Sequence, residues 1–459
     1  VQALVHIHQR QGLPQAVIDA CVASLGNEAN ASVRRGTLVL IDAHVRRQPA
    51  SDALVQALTG VLETDGKAAV RALAARSLCN ISKQRGYPRS LLVTLQQAAA
   101  DDPDASVQRE ALAGLMAAAA ELSRSREVLP PGIVTQLLQT AGGDSDARMR
   151  LQAWQALGTV YATQAPDSTT LKVLLARLGE EGDRKVRGLV AINLQQIHAR
   201  HGLDPAVMET LIPRVTDDPV AEVRHAVTRM FIEAPAGQDL AAWMKTSGAM
   251  GLSPAGAAGT VTLPDRSSQH QAVEPSRQQA QLLAQYVSAL SGGRALAVRE
   301  EILQGLFALS LHQSLPPPAV DALAHSLVSA PDPGMRLQAA AVLLHNGLQH
   351  RRDAGPFYPA LDDEDAQVRD YAAFALVELN AVDGDVLPAL LAYVRDASAH
   401  RNLRGYSLRR LALWHSAGRV LPDTVQATLL ELTEEPDVEL SQAAWNALRQ
   451  FDLAEADWR

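Results

Sequence analysis

A short pattern recurs along the chain and limits what the chain can fold into. In each copy an aliphatic residue is followed by Arg, or in two copies by Gln or Ser, and an Ala/Leu-rich stretch comes next. The copies are Val33-Arg34, Val70-Arg71, Val107-Gln108, Met149-Arg150, Val186-Arg187, Val223-Arg224, Val298-Arg299, Met335-Arg336, Val368-Arg369, Leu403-Arg404 and Leu440-Ser441. Their successive separations are 37, 37, 42, 37, 37, 75, 37, 33, 35 and 37 residues. This period indicates one structural unit stacked on copies of itself, because a single unit cannot bury its apolar face alone.

Each unit is interpreted as two helices, A and B, joined by a turn. In helix B the apolar residues recur at steps of three or four, as in Val368, Ala372 and Leu376, which is typical of a helix with one buried face. We call the position after the aliphatic residue of the pattern, Arg in most copies, the ladder position. In six copies an Asp stands four residues before it, which is a natural N-cap of helix B; these are Asp104, Asp146, Asp183, Asp332, Asp365 and Asp437. The recurring Arg beside an acid predicts an Asp/Arg hydrogen-bond ladder between repeats rather than an anion-binding track.

The turn Asp and the Val-Arg pair at the start of the second helix resemble the HEAT-repeat family, and the resemblance covers nearly the whole chain. It implies an all-α fold, a right-handed α-solenoid of about 11 HEAT-like helix pairs, interrupted once by a long loop. In this family the A helices form the convex side and the B helices line the concave side. The tetratricopeptide and ankyrin families fit less well, since their arrays need other regular periods together with signature residues, and neither pattern is present here.

The interruption follows the sixth copy of the pattern. Residues 247–275 are rich in Gly, Ala, Ser and Pro, a composition typical of a linker or a disordered segment. We therefore predict three parts: N-terminal repeats at 1–234, which begin inside a repeat, a degenerate repeat and flexible insertion at 235–275, and C-terminal repeats at 276–459. The insertion could be a tether between two solenoid halves, a disordered partner-binding segment or an active-site lid.

Charge and motifs exclude several classes of function. The formal charge of −8 disfavours a protein that mainly neutralises nucleic-acid phosphates. The nucleophile-elbow, Walker and dinucleotide-binding motifs are all missing, and the histidines lack metal-ligand spacing, so we expect neither an enzyme nor a bound cofactor or metal. No apolar run is long enough to cross a membrane, and no signal peptide is visible, which makes a cytoplasmic location our expectation. Arg greatly outnumbers Lys, which suggests a bacterial source.

One stretch stands out against the acidic background, because residues 397–422 contain no Asp or Glu. Its basic residues, with two more from the preceding repeat, are our candidate partner-binding residues: Arg401, Arg409, Arg410, His415, Arg419, Arg351 and Arg352. The sequence therefore predicts a non-enzymatic scaffold or adaptor that binds a protein partner on its concave surface. Two alternatives stay open: a ligand-sensing repeat region of a larger multidomain sensor or effector, and a helical-repeat enzyme or nucleic-acid-binding protein.

Overall fold

The computed structural model describes residues 14–127, 129–232, 276–351, 353–379, 386–416 and 421–456. In these ranges the chain forms 22 α-helices and no β-strand. Contacts group it into two compact units, one made of Val1–Asp204 with Pro219–Ala226 and the other of Pro205–Asp218 with Val227–Arg459. The predicted all-α fold is confirmed, and the described elements form eleven repeats, in one of which 3-10 segments take the place of helix A.

The first unit contains five helix pairs, in which odd-numbered helices are A helices and even-numbered helices are B helices. They are α1 (Gln15–Asn27), α2 (Ala31–Val45), α3 (Asp52–Thr64), α4 (Ala68–Gln84), α5 (Arg89–Asp101), α6 (Ala105–Arg124), α7 (Pro131–Gly143), α8 (Ala147–Tyr161), α9 (Ser168–Glu180) and α10 (Arg184–His201).

In the sixth repeat, α11 (Pro205–Leu211) and α12 (Arg214–Asp217) take the place of helix A, and α13 (Ala221–Phe231) is helix B. The later A helices are α14 (Arg277–Ser291), α16 (Pro317–Ser329), α19 (Val386–Arg395) and α21 (Asp423–Leu432). The later B helices are α15 (Leu296–Ser310), α17 (Pro333–Asn346), α18 (Ala366–Glu378), α20 (Arg401–Ser416) and α22 (Val438–Ala456).

The ninth repeat departs from the pattern. A π-helical turn, Gly347–Arg351, extends α17, and two 3-10 segments, Gly355–Phe357 and Pro359–Asp362, replace helix A. Pro356 and Pro359 lie in the first turns of these segments, where the missing N–H costs nothing. Phe357 is fully buried, so the short segments still supply an apolar side chain to the core.

The predicted N-caps of the B helices are confirmed. The carboxylates of Asp104 and Asp146 each accept a backbone N–H two residues further on, and Asp183 accepts the N–H groups two and three residues further on. The other predicted caps, Asp332, Asp365 and Asp437, also accept backbone N–H groups from the first turn of their helices. These acids therefore satisfy donors that the helix itself leaves unpaired. Ser276 caps α14 and forms a capping box with Gln279.

Small residues let the B helices pack closely. An alanine stands three residues after the ladder position in five repeats and has no exposed surface in any of them; these are Ala74, Ala111, Ala153, Ala339 and Ala372. Larger apolar side chains, mostly Leu, are buried in the same helices. In most repeats, therefore, successive B helices contact each other more extensively than successive A helices do.

The close packing of α15 on α14 at Gly305 can be tested by substitution. Gly305 in α15 faces the buried ring of Tyr286 in α14, and a Cβ at Gly305 would lie 2.6 Å from the hydroxyl and 2.8 Å from two ring carbons. We expect Gly305→Ala to lower the free energy of unfolding by about 2 kcal/mol, because a fully buried ring cannot move aside easily. Urea unfolding measures this. Gly60→Ala in α3, which meets nothing within 4 Å, is the control and should be stabilising by up to about 1 kcal/mol.

The predicted ladder between repeats is present. Arg71 donates from Nε and Nη2 to the two carboxylate oxygens of Asp102, both at 2.8 Å, and from Nη1 to the Asp65 carbonyl at 2.8 Å. Each such Arg therefore joins the A–B turn of its own repeat to the end of helix A in the next repeat. The pairs are Arg34–Asp65, Arg71–Asp102 and Arg150–Glu181 in the first unit, and Arg336–Asp363 and Arg404–Glu435 in the second.

The acid of the ladder is a different residue from the N-cap. Asp102, Glu181 and Asp363 stand two positions before the capping Asp of the same turn and accept the backbone N–H of that capping residue. Two acids per turn thus have separate tasks, one capping helix B and the other receiving the Arg of the previous repeat. The hydrogen bond from Arg71 lowers the pKa of Asp102, as the one from Arg34 does for Asp65.

At Arg299 the residue in the position of the ladder acid is an alanine, and its backbone has the conformation of an acid-bearing rung. Ala330 stands 31 residues after Arg299, the spacing of Arg34 and Asp65. Its backbone angles, φ −67° and ψ 130°, match the −68° and 128° of Asp65. We expect Ala330→Asp to raise the free energy of unfolding by about 1 kcal/mol through a bidentate pair with Arg299. The same substitution combined with Arg299→Ala should lose this gain, and a gain that persists there would contradict the rung.

Residues 233–275, which include the degenerate repeat and flexible insertion predicted at 235–275, lie outside the described residues. The elements on either side of them contact each other within the second unit. Arg294 pairs with Asp217 at 2.6 Å, and Gln285 donates to the Thr216 hydroxyl at 2.6 Å. Helix α14 therefore packs directly against the elements of the sixth repeat.

Candidate protein-binding surface

The accessible sides of the B helices form a row of equivalent positions. Five residues after the ladder position, the first unit exposes Val39, Arg76, Ala113, Gln155 and Ile192, one on each successive B helix. We call this row, together with the equivalent positions on the B helices of the second unit and the residues one helical turn beyond them, the B-helix face. In the first unit these side chains are small, aliphatic or polar, and none is aromatic.

The B-helix face is covered in the middle of the second unit. The equivalent residue in α17, Ala341, has no exposed surface, and His345, one turn further on, is 5% exposed. On α15 the residue equivalent to Ala341, Gln304, is half-buried, and Ala308, which is equivalent to His345, is buried. A partner therefore cannot reach the face at α17, whereas the face is accessible again from α18 onward.

An aromatic–arginine patch lies where the face reopens. It consists of Phe374 on α18 with Tyr406, Arg409, Arg410 and Leu413 on α20. The rings of Phe374 and Tyr406 have centroids 6.1 Å apart, Leu413 is 50% exposed, and Arg409 is exposed. Aromatic residues and Arg are the types most enriched at protein interfaces. We call this set the C-terminal patch.

Its electrostatics are set by two guanidinium groups and one carboxylate. The Tyr406 hydroxyl donates a hydrogen bond to Glu378 at the end of α18. Burial, with Glu378 as a further cause, raises the pKa of Tyr406, while Arg410 and Arg409 act in the opposite direction. Both arginines thus lie near the Tyr406 hydroxyl. The Arg409 guanidinium also lies over Gly405, with its Nη1 3.7 Å from where a Cβ would stand.

The predicted binding residues have different surroundings. Arg401 is held in ion pairs with the next repeat, at 3.0 Å from Asp437 and also with Glu439. His415 is half-buried and stacks on Phe451 of α22, with ring centroids 3.9 Å apart. Arg409 and Arg410 belong to the C-terminal patch. Arg352, Arg419 and the side chain of Arg351 lie outside the described residues, so the structure brings together two of the seven.

Sequence reasoning passed over Phe374, Tyr406 and Leu413. Each stands on a helix whose apolar stripe is assigned to the core, and periodicity alone does not tell an exposed apolar residue at the edge of that stripe from a buried one. The available signal was the repeat register. Phe374 and Arg409 occupy the same position in successive repeats, five residues after Arg369 and Arg404.

Solved structures similar to this chain include karyopherins. Kap121p bound to the extreme C-terminus of the protein phosphatase Cdc14p gives a TM-score of 0.50 at 12% sequence identity, covering 96% of this chain and 46% of that one. The chain has the fold of a HEAT-repeat solenoid. Kap95p with RanGDP gives 0.47 at 12% identity, covering 98% and 57%, and an engineered protein gives 0.31 at 17% identity, covering 95% and 98%.

No protein-family model matches the chain, and no curated protein matches it. The chain spans about half the length of the Kap121p structures. At this level of identity the likeness shows the HEAT-like fold alone.

Histidines at the ends of B helices join adjacent HEAT-like repeats. His201 Nε2 lies 2.9 Å from the Tyr161 carbonyl, and His350 Nε2 lies 3.2 Å from the Ser310 carbonyl. In both cases the carbonyl lies at the end of the preceding B helix, where the helix leaves its last carbonyls unpaired. These histidines thus have a structural role.

Within the described ranges, no group of three or more His, Cys, Asp or Glu side chains could hold a metal ion. In the same part of the chain, none of the helices combines the length and the apolar character needed to cross a membrane.

Proposed function

We propose that this chain is a non-enzymatic scaffold or adaptor that binds a protein partner on the concave, B-helix side of its HEAT-like repeats. The observation that carries the proposal is the C-terminal patch, which places Phe374, Leu413 and Arg409 at the accessible side of two neighbouring B helices. Leu413 and Arg409 are exposed and Phe374 is half-buried, and such a combination of apolar, aromatic and Arg side chains is the composition of interface cores. We place the protein in the cytoplasm.

The B-helix face also suits this role because the repeats hold it rigid. Arg404 of α20 is 4% exposed and donates to the Val394 carbonyl at 2.7 Å and to Glu435 of the next repeat at 3.0 Å. The backbone under the patch is therefore tied to helix A of its own repeat and to the next repeat. A preorganised surface loses little conformational entropy on binding, which favours affinity.

Quantitative affinity capture with mass spectrometry tests the proposal. The variant Phe374→Ser with Leu413→Ser removes the apolar part of the C-terminal patch. Its matched control is Val93→Ser with Val328→Ser, since these valines are 44% and 50% exposed on the A helices α5 and α16. We expect the patch variant to lose a partner that the wild type and the control both retain, by about tenfold or more. Equal retention by all three proteins would contradict the proposal.

A further inference from the structure

Trp445 of α22 is exposed at a position that is buried in the other repeats. It stands four residues after Ser441, which occupies the ladder position, and it is 52% exposed. The equivalent residue is at most 4% exposed in nine other repeats and half-buried in the sixth; these residues are Leu38, Ala75, Leu112, Trp154, Ala191, Thr228, Leu303, Ala340, Ala373 and Leu408.

The following repeat covers this side of helix B elsewhere in the chain. In α8, Asn193 of the next B helix donates to the carbonyl of Trp154 at 2.9 Å, and a Cβ at Gly158, one turn further on, would lie 2.6 Å from the same Asn193. Helix α22 is the last B helix that the structure describes, and its corresponding side is accessible. Trp is the residue type most typical of the energetic centre of a protein interface.

Trp445 belongs to a stripe of exposed residues on α22. Val438, Gln442 and Arg449 lie on the same side at helical spacing, and Val438 is 76% exposed. The stripe differs from the surface on which a regular repeat packs, because Ser441 replaces the ladder Arg and Arg449 replaces an apolar residue. In the seventh to tenth repeats that apolar residue is buried, as Phe307, Leu344, Val377 and Ala412.

The charges beside Trp445 are complementary to themselves. Glu434 is exposed near the start of α22, next to Thr433, whose carbonyl accepts the Ser441 hydroxyl at 2.6 Å. Its counterpart in the sixth repeat, Asp217, pairs with Arg294 of the next repeat, so this position faces forward along the array. Arg449 lies eight residues beyond Ser441, about 12 Å along the helix, with Trp445 halfway. A second copy turned by 180° about Trp445 therefore brings opposite charges together.

We propose that the α22 face, made of Glu434, Val438, Gln442, Trp445 and Arg449, binds a second copy of this chain. In this two-fold dimer the Trp445 rings of the two copies pack together at the axis, and Glu434 of each copy pairs with Arg449 of the other. The inference goes beyond the proposed function, because the α22 face shares no residue with the C-terminal patch. Such a dimer carries two C-terminal patches and binds a partner with two matching segments more tightly.

Light scattering after size-exclusion chromatography tests the proposal with the purified chain. We expect the wild type to reach about twice the 49.1 kDa of one chain at high concentration and to dissociate on dilution. Trp445→Ser should weaken dimerisation by about tenfold or more, with an unchanged helical circular-dichroism spectrum. The control Val328→Ser, which changes a 50% exposed residue of α16, should dimerise as the wild type does. A wild type that is monomeric at every concentration overturns the proposal.

A charge swap tests the pairing across the two-fold axis. Arg449→Glu and Glu434→Arg each place like charges opposite each other, and each should weaken dimerisation by about tenfold. The double variant restores opposite charges and should dimerise within about threefold of the wild type. A double variant that dimerises no better than the single variants overturns the two-fold arrangement.

Cross-linking separates a second copy from other occupants of the α22 face. With a photoreactive amino acid at position 445, we expect a product of two-chain mass from the purified protein and from extracts. A cross-link to a different protein, without the two-chain product, overturns the proposal. Trp445→Ser should leave capture of a partner by Phe374 and Leu413 detectable, so the scaffold role and the dimer fail or succeed separately.

Discussion

Replacing Arg71 with Ala is expected to lower the free energy of unfolding by about 3 kcal/mol. The side chains of Arg71 and Asp102 are only 12% and 7% exposed, and they share two hydrogen bonds of 2.8 Å. Removal of the guanidinium leaves a buried carboxylate without its cation and the Asp65 carbonyl without a donor, which costs more than the pair itself contributes. Urea unfolding followed by the fluorescence of Trp154, which is buried in the same unit, measures the change.

Arg76 provides a control on the same helix. Its ion pair with Glu110 also joins two repeats, but the Arg76 side chain is 45% exposed. An exposed pair is worth less than about 1 kcal/mol, so Arg76→Ala should be nearly neutral. If both substitutions had the same effect, burial of the ladder would not be the source of its contribution.

Stability is expected to fall by about 3 kcal/mol between neutral pH and about pH 4 because of His345. Its ring is 5% exposed and packs edge-on against Phe307, with Nδ1 2.9 Å from the Ser310 hydroxyl. Burial, with the nearby charge of His350 as a second cause, lowers the pKa of His345 from 6.5 to about 4. The unfolded chain therefore binds a proton that the folded chain excludes in this range, and stability is lost as the pH falls.

The variant His345→Gln should show this dependence no longer. Urea unfolding of the second unit at several pH values gives the comparison, and an unchanged slope between about pH 6.5 and pH 4 in the variant would contradict the assignment to His345. At lower pH the ladder carboxylates contribute instead. The pKa values of Asp65 and Asp102 are lowered by their Arg partners, so their contribution is present above the usual Asp pKa and is lost as the pH falls through the lowered values.

The repeat pattern was sufficient to predict most of the fold. The recurring Val-Arg pair gave the number of helix pairs, and the Asp four residues before it gave the start of the B helices, because capping is a local interaction that sequence spacing encodes. The acid of the ladder was not recognised, since Asp102 and Asp104 differ only in which backbone and side-chain donors they meet across the turn. The ninth repeat was also predicted as regular, whereas Pro356 and Pro359 occupy 3-10 segments there.

The candidate surface was predictable only in part. A lack of acids in 397–422 pointed to α20, and that region does hold Arg409 and Arg410. Charge counting does not show which cations already have partners, so Arg401 was grouped with them although it pairs with Asp437. Phe374 was not recognised from the sequence because it belongs to another repeat, and its approach to Tyr406 depends on how α18 and α20 pack.

Site-specific photo-crosslinking tests the central claim most directly. A photoreactive amino acid at Leu413 probes the C-terminal patch, and one at Val328 probes an A helix of the same unit with the same 50% exposure. In extracts that contain the partner, the proposed scaffold role predicts one dominant protein cross-link from position 413 and none from position 328. A partner that cross-links from position 328 but not from position 413 would contradict binding on the B-helix face.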